Sequence, residues 1–458
     1  MAPALPAVFA STCAAGDTGD VDVARRTGVS IAIFCTAGSD GGDAVCHIFQ
    51  ELSSWNRCLW YVGLQLRELT APGELSLVQV RDQGCGHEQE ARCRDGRLLF
   101  RALLTQHRCV VSVDLCETII EGAQLDECRD LVVGALQQNT TLRKLRLNGF
   151  RDYNFMRQEL FAAIATKYHL QELDFVGYGE FPGLIDPLQT LLVDITTNIS
   201  TLSIPGIRLG EEHARRLVAG LRKNDTILEL SVHVSVLCSL LVNGKARFSV
   251  YLANCGRLRA LTVTADVNTA TAAYDEVSAI VDALVTCGSI LRLKLLCFLL
   301  NEDCASLLSR LMAQNVNLES LDIIGCRWIR AASHSPDSTT PPKHEYLDQM
   351  QEGAAFSRRV RPWVEAFTEN TTLKFFALDL GGLIAADFGV FFRALMAVQS
   401  LSTVIVSGVA PEDLPEVGRV LRDTEMSARV SVRDQYLVSL PLLWALEDFP
   451  EVLRHCCR

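Results

Sequence analysis

Residues 207–232 read IRLGEEHARRLVAGLRKNDTILELSV, and they hold both halves of the unit from which the chain is built. The last part, Ile227, Leu230 and Val232, is spaced apolar-x-x-apolar-x-apolar, as in a short strand that buries alternate side chains. Upstream, Ala214, Leu217, Val218 and Leu221 fall at i, i+3, i+4 and i+7, one face of a helix. Leu209-Gly210-Glu211-Glu212 opens that helix and Asn224-Asp225-Thr226 closes it.

Outward from this unit the strand string recurs. Before it stand Leu142, Leu145, Leu147; Leu170, Leu173, Phe175; and Ile199, Leu202, Ile204. After it come Leu258, Leu261, Val263; Ile290, Leu293, Leu295; Leu318, Leu321, Ile323; Leu373, Phe376, Leu378; and Leu401, Val404, Val406. The steps are 28 to 32 residues apart from one of 55, between Leu318 and Leu373. Helical sets lie between the strands, among them Val277, Ile280, Val281, Leu284; Cys304, Leu307, Leu308, Leu311; Val360, Trp363, Val364, Phe367; and Phe388, Phe391, Phe392, Leu395. Asn recurs three positions before a strand string, at Asn139, Asn224, Asn315 and Asn370, where a left-handed backbone is expected to stop the helix. Cys255 and Cys287 fill the same slot. A strand and a helix repeated at one period predict an α/β solenoid with an inner parallel sheet and outer helices.

The rest of the chain is read around that repeat. Residues 1–45, rich in Ala, Gly, Asp, Ser and Thr, are expected to be a flexible leader, and 46–74 an apolar, partly helical N-terminal cap. The solenoid is expected over 75–432, with degenerate units at Leu75 (Val78, Val80) and Val110 (Val113, Leu115), and a Ser/Thr/Pro-rich loop insertion near 327–352. Ser335-Pro336 and Thr340-Pro341 in that loop fit proline-directed phosphorylation sites, but ordinary turn chemistry is the favoured reading. Residues 433–458 are expected to form a C-terminal cap.

Composition narrows the function. With 43 basic and 54 acidic residues the net charge is -11, which disfavours nucleic acid as a partner. No apolar run approaches the roughly 18–20 residues of a membrane span, so no membrane association is expected. The start, MAPALPAVFASTCAAG, lacks the basic n-region of a signal peptide. The 17 cysteines are scattered and odd in number, which favours thiols in a reducing compartment and hence a cytoplasmic location. The sequons at Asn139, Asn198, Asn224 and Asn370 are explained by the helix-stop Asn of the repeat.

No catalytic motif is visible. The one Gly-Lys pair, Gly244-Lys245, is followed by Ala246 and lacks the P-loop glycine. There is no G-x-S-x-G elbow, H-E-x-x-H helix or kinase set. The groups Cys85, His87, Cys93 and His455, Cys456, Cys457 lack diagnostic metal-ligand spacing, so the expectation is no catalytic residue, no cofactor and no metal.

Strand, turn, helix, Asn-Thr-Thr and strand over residues 75 to 432 resemble the ribonuclease-inhibitor type of leucine-rich repeat, and within it the repeat regions of NLR-like proteins. The resemblance implies a horseshoe that binds other proteins on its concave parallel sheet. Two departures stand out. The motif's Asn or Cys after the strand is Phe150, Tyr178, Ile207 or Ser235 here, with Cys326 the main exception, and no nucleotide-binding module accompanies the repeats.

By strand alternation the residues facing that surface are Lys144, Arg146, Glu172, Asp174, Glu229, Ser231, His233, Arg292, Lys294, Ser320, Asp322, Phe375 and Asp379. Mixed charge suits a protein surface, so the expected function is a non-catalytic intracellular scaffold or adaptor whose partners are other proteins. The alternatives are an inhibitor or regulator of an enzyme or GTPase, and the substrate-recognition subunit of a ubiquitin ligase, for which 46–74 would have to be F-box-like.

Overall fold

The computed structural model describes Val29, Cys35 and residues 45–80, 90–116, 125–151, 157–194, 196–238, 241–242, 245–266, 274–328, 353–379, 385–409, 413–424 and 429–433. The fold is α/β with a mostly parallel sheet, and the chain divides into two compact units, Met1–Ile199 and Ser200–Arg458.

In the first unit a turn of 3-10 helix (His47–Phe49) leads into α1 (Leu52–Leu59), β1 (Leu64–Glu68) and β2 (Leu75–Gln79). Then follow α2 (Glu90–Gln106), β3 (Val110–Cys116), α3 (Leu125–Gln138), β4 (Lys144–Arg151), α4 (Arg157–Ala165), β5 (Glu172–Glu180) and α5 (Pro182–Val193). The strands lie in the order β1-β2-β3-β4-β5, with β1 antiparallel to β2 and the others parallel.

In the second unit β6 (Thr201–Ile204), α6 (Glu211–Leu221), β7 (Glu229–His233), α7 (Arg247–Asn254), β8 (Ala260–Thr264), α8 (Tyr274–Thr286), β9 (Arg292–Leu296) and α9 (Glu302–Gln314) come first. They are followed by β10 (Ser320–Ile324), α10 (Gly353–Glu369), β11 (Phe375–Asp379), α11 (Ala385–Ala397), β12 (Thr403–Ser407), α12 (Leu414–Asp423) and β13 (Val430–Arg433). Consecutive strands pair in parallel from β6 to β13. Among the described residues the 55-residue step adds no strand to the main sheet, because β10 pairs directly with β11 in the register Ser320↔Phe375, and the two-residue strand Arg327–Trp328 within it pairs instead with Leu299–Leu300. The proposed loop beyond Trp328 and the C-terminal cap beyond Arg433 lie outside the described residues.

Every apolar residue of the strand strings from Leu142 to Val406 is buried. So are Ala214, Leu217, Val218 and Leu221 of α6, and Val277, Ile280, Val281 and Leu284 of α8. Burying each Leu or Ile stabilises the fold by about 1.5–3 kcal/mol, which is why the two periods register so plainly. Helices and strands meet through these residues. Phe161 of α4 packs edge-on against Phe175 of β5, and Phe367 of α10 against Phe376 of β11. The caps follow local chemistry: Asn301 Oδ1 accepts from Cys304 N at the start of α9, with Glu302 and Asp303 in the first turn.

Three expectations change. At β2 Leu75, Ser76 and Leu77 are buried, while Val78 and Val80 are half-buried. β2 pairs on one side with an antiparallel strand and carries a register shift at Leu75/Ser76, so the repeat phase does not extend to it. The segment 46–74 ends in a strand as well as beginning in a helix. The recurrent Asn residues do not act through a left-handed backbone: Cys297 is the one described non-glycine residue with positive φ, and Asn315 sits at φ -86°, ψ 112°.

Asn works instead through its side chain. Asn315 Nδ2 donates to Leu284 O (2.6 Å) in the preceding helix, while Oδ1 accepts from Asn317 N and Leu318 N. Asn139 repeats this with Leu104 O, Thr141 N and Leu142 N, and Asn370 with Met312 O, Thr372 N and Leu373 N. One buried amide thus shapes its own turn and ties it to the previous unit. At the corresponding slot before Leu170 stands Lys167, whose Nζ donates to Gln137 O (3.0 Å) and Asn139 O (2.6 Å).

Candidate functional site

The strand residues between the buried ones stack into rows, because parallel register places like positions side by side. In the first unit one row is Ser112, Lys144, Glu172 and the next is Asp114, Arg146, Asp174. Sign alternates across the strands. Lys144 Nζ lies 2.6 Å from Glu172 Oε1, and Arg146 bridges Asp174 (3.0 Å) and Asp114 (3.8 Å). Asn148 Nδ2 donates to Asp114 Oδ1 at 2.6 Å. Burial pushes the Asp114 carboxyl above its ordinary pKa, against the pull of the Arg146 guanidinium.

In the second unit the rows are longer. Thr201, Glu229, Ala260, Arg292, Ser320, Phe375 and Thr403 form one; Ser203, Ser231, Thr262, Lys294, Asp322, Ala377 and Ile405 form the other. Arg292 passes over Ala260 to reach Glu229 Oε1 at 2.5 Å, and Lys294 pairs with Asp322 at 3.0 Å.

Of the residues expected on this face, Lys144, Arg146, Glu229 and Arg292 are exposed, while Glu172, Asp174, Ser231, Lys294, Ser320, Asp322 and Phe375 are half-buried. Asp379 ends β11, and its side chain lies outside the described residues. His233 is a correction: it is 4% exposed. The chain bends there into a 3-10 helix, Val234–Cys238. The His233 Nδ1 lies 2.9 Å from Ser235 Oγ and its Nε2 3.4 Å from Asp266. Burial holds its pKa below the ordinary histidine value. Ala377 and Ile405 share the outward register yet are buried, so the open part of the second face runs from β6 to β10.

Sequence reasoning passed over Asp114. Its signal was the slot between Val113 and Leu115, the one Arg146 and Asp174 occupy in their own strands.

It also passed over a group of thiols and imidazole. Cys35, Cys46, His107 and Cys109 each offer one ligand atom, and these atoms lie within 4.8 Å of one another. Three separate stretches supply them: residue 35, the cap of the first 3-10 turn, and the His107-x-Cys109 turn entering β3. The sequence signal was that turn, since His107 sits three before Val110, in the helix-stop slot. Of the group weighed from spacing, Cys85 and His87 lie outside the described residues, as do His455, Cys456 and Cys457, and Cys93 is disulfide-bonded. A second thiol pair, Cys255 and Cys287, has sulfurs 3.9 Å apart beside Ser289. Hydrogen bonds with Cys255 and Ser289 pull the Cys287 thiol below its ordinary pKa.

Among the described residues no helix is long and apolar enough to cross a membrane. No protein-family model matches the chain, and no curated protein matches it.

Proposed function

We propose that this chain is a leucine-rich-repeat protein of the ribonuclease-inhibitor type, a horseshoe that binds other proteins on its exposed strand face and acts as a non-catalytic intracellular scaffold or adaptor. The observation that carries this reading is the pair of in-register rows, in which half-exposed cations and carboxylates alternate from strand to strand. Such a face is rigid, since the sheet sets the spacing of its charges, and it is nearly neutral in total. A surface of that kind discriminates partners by charge pattern rather than by net attraction.

Neutralisation is the appropriate test, because each of these cations already has a carboxylate beside it and charge reversal would set like charges together. Lys144→Gln with Arg146→Gln, and separately Arg292→Gln with Lys294→Gln, are compared with the parent chain by proximity labelling in cells. Circular dichroism and thermal midpoint serve as folding controls. Loss of a subset of partners with the fold retained is expected, and for purified pairs a larger effect at low salt. If both double variants keep the whole partner set, binding lies elsewhere.

A further inference from the structure

We propose that Cys35, Cys46, His107 and Cys109 form a structural zinc site that staples Cys35 and the first 3-10 turn to the start of β3. Three thiolates and an imidazole are a standard structural zinc donor set, and Zn–S distances of about 2.3 Å set tetrahedral edges near 3.8 Å. Cys46 Sγ lies 3.5 Å from His107 Nδ1, already at that edge length, and the remaining donors fall within 4.8 Å of these two. Shortening no donor–donor separation by more than about 1 Å closes the tetrahedron.

Burial gives the set a shape that suits a closed site. Cys46, His107 and Cys109 are 0%, 1% and 3% exposed, and Cys35 is half-buried. None of Cys35, Cys46 and Cys109 is in a disulfide. His107 Nδ1 faces the Cys46 sulfur, and the ring is held in that orientation by packing on His47 (5.4 Å between centroids) and Trp55 (5.7 Å).

The backbone is already arranged for the staple. Cys35 N donates to Gln106 O at 3.4 Å, which holds the residue beside the turn that bears His107 and Cys109. Binding converts three thiols to thiolates, whose protons pass to solvent as the metal sheds its waters, leaving a four-ligand centre with no open position. The role is therefore structural, and it departs from the absence of metal expected from spacing alone. The two halves of the set, Cys35 with Cys46 and His107 with Cys109, stand 61 to 74 residues apart, so a search for paired C-x-x-C motifs does not bring them together.

The full-length chain, purified under reductant without added metal, is assayed by mass spectrometry of the metal and then titrated with Co(II). About one zinc per chain is expected, together with a tetrahedral cobalt spectrum whose charge-transfer intensity reports three thiolates. Cys46→Ser and Cys109→Ser should each weaken metal binding by roughly tenfold or more, while Cys304→Ala, a buried free thiol of α9, should leave it unchanged. Should the ligand variants not fold, the cobalt spectrum of the parent chain still decides. No zinc and no tetrahedral cobalt signal would overturn the proposal, as would a spectrum of two thiolates or fewer, or a disulfide within the set in a metal-free chain alkylated before reduction.

Discussion

Two buried side chains in the same structural slot behave differently because one is an amide and the other an ammonium. Asn315 Nδ2 donates to Leu284 O and Cys287 O, and its Oδ1 accepts from Asn317 N and Leu318 N. Asn315→Ala should cost about 2–3 kcal/mol, since it removes the acceptor of two backbone N–H groups and the tie to the preceding unit, whereas Asn315→Asp keeps the acceptor and loses the donor. Urea denaturation should rank parent, Asp and Ala in that order near neutral pH. Lys167, a residue only 6% exposed, holds two carbonyls with its Nζ, and burial pulls its pKa down to about 8. In the unfolded chain the same group titrates near 10.4. Between those values the unfolded state binds more protons, so stability rises with pH there, by about 1 kcal/mol per unit from this residue. The parent should gain on Lys167→Gln between about pH 8 and about pH 10, with the gap flat below about pH 7.5. A parallel pair of curves would show that the ammonium is solvated.

At the scale of the element, residues 332–343 can be removed at little cost. The strands on either side of the long step, β10 and β11, are already bonded to each other, and Asn370 reaches back to Met312 O across it. Deleting 332–343 should move the thermal midpoint by less than about 2 °C, read by circular dichroism. The strands and helices were legible because each is long enough to show its period and each apolar position in it is buried: Leu230 and Val232 in β7, Leu217 and Leu221 in α6. What was not legible depends on contacts between units. Nothing in the string around Asn315 says that its amide will meet a carbonyl 31 residues back. The outward phase was legible for Lys144 and Arg292, but their pairing with Glu172 and Glu229 is a property of the register. His233 failed because alternation alone does not reveal a chain that folds over its own last strand residue.

Over the whole molecule, the acidic surplus of 54 over 43 charges is not what the strand faces display, since their ion pairs cancel locally. Exposed pairs of this kind add little to stability, about 0–1 kcal/mol each, so the faces can change in sequence without unfolding the protein. The side-chain ladder has the complementary property. Asn139, Asn315 and Asn370 ask of the preceding unit only a main-chain carbonyl, never a particular side chain. A copied unit would therefore dock onto its template at once, and either copy could then diverge, as the spacing of 58 residues between Asn370 and Met312 against 31 between Asn315 and Leu284 already illustrates. A chain joined in this way can lengthen by duplication and tolerate insertions, with each new segment inheriting a working junction before it has acquired a sequence of its own.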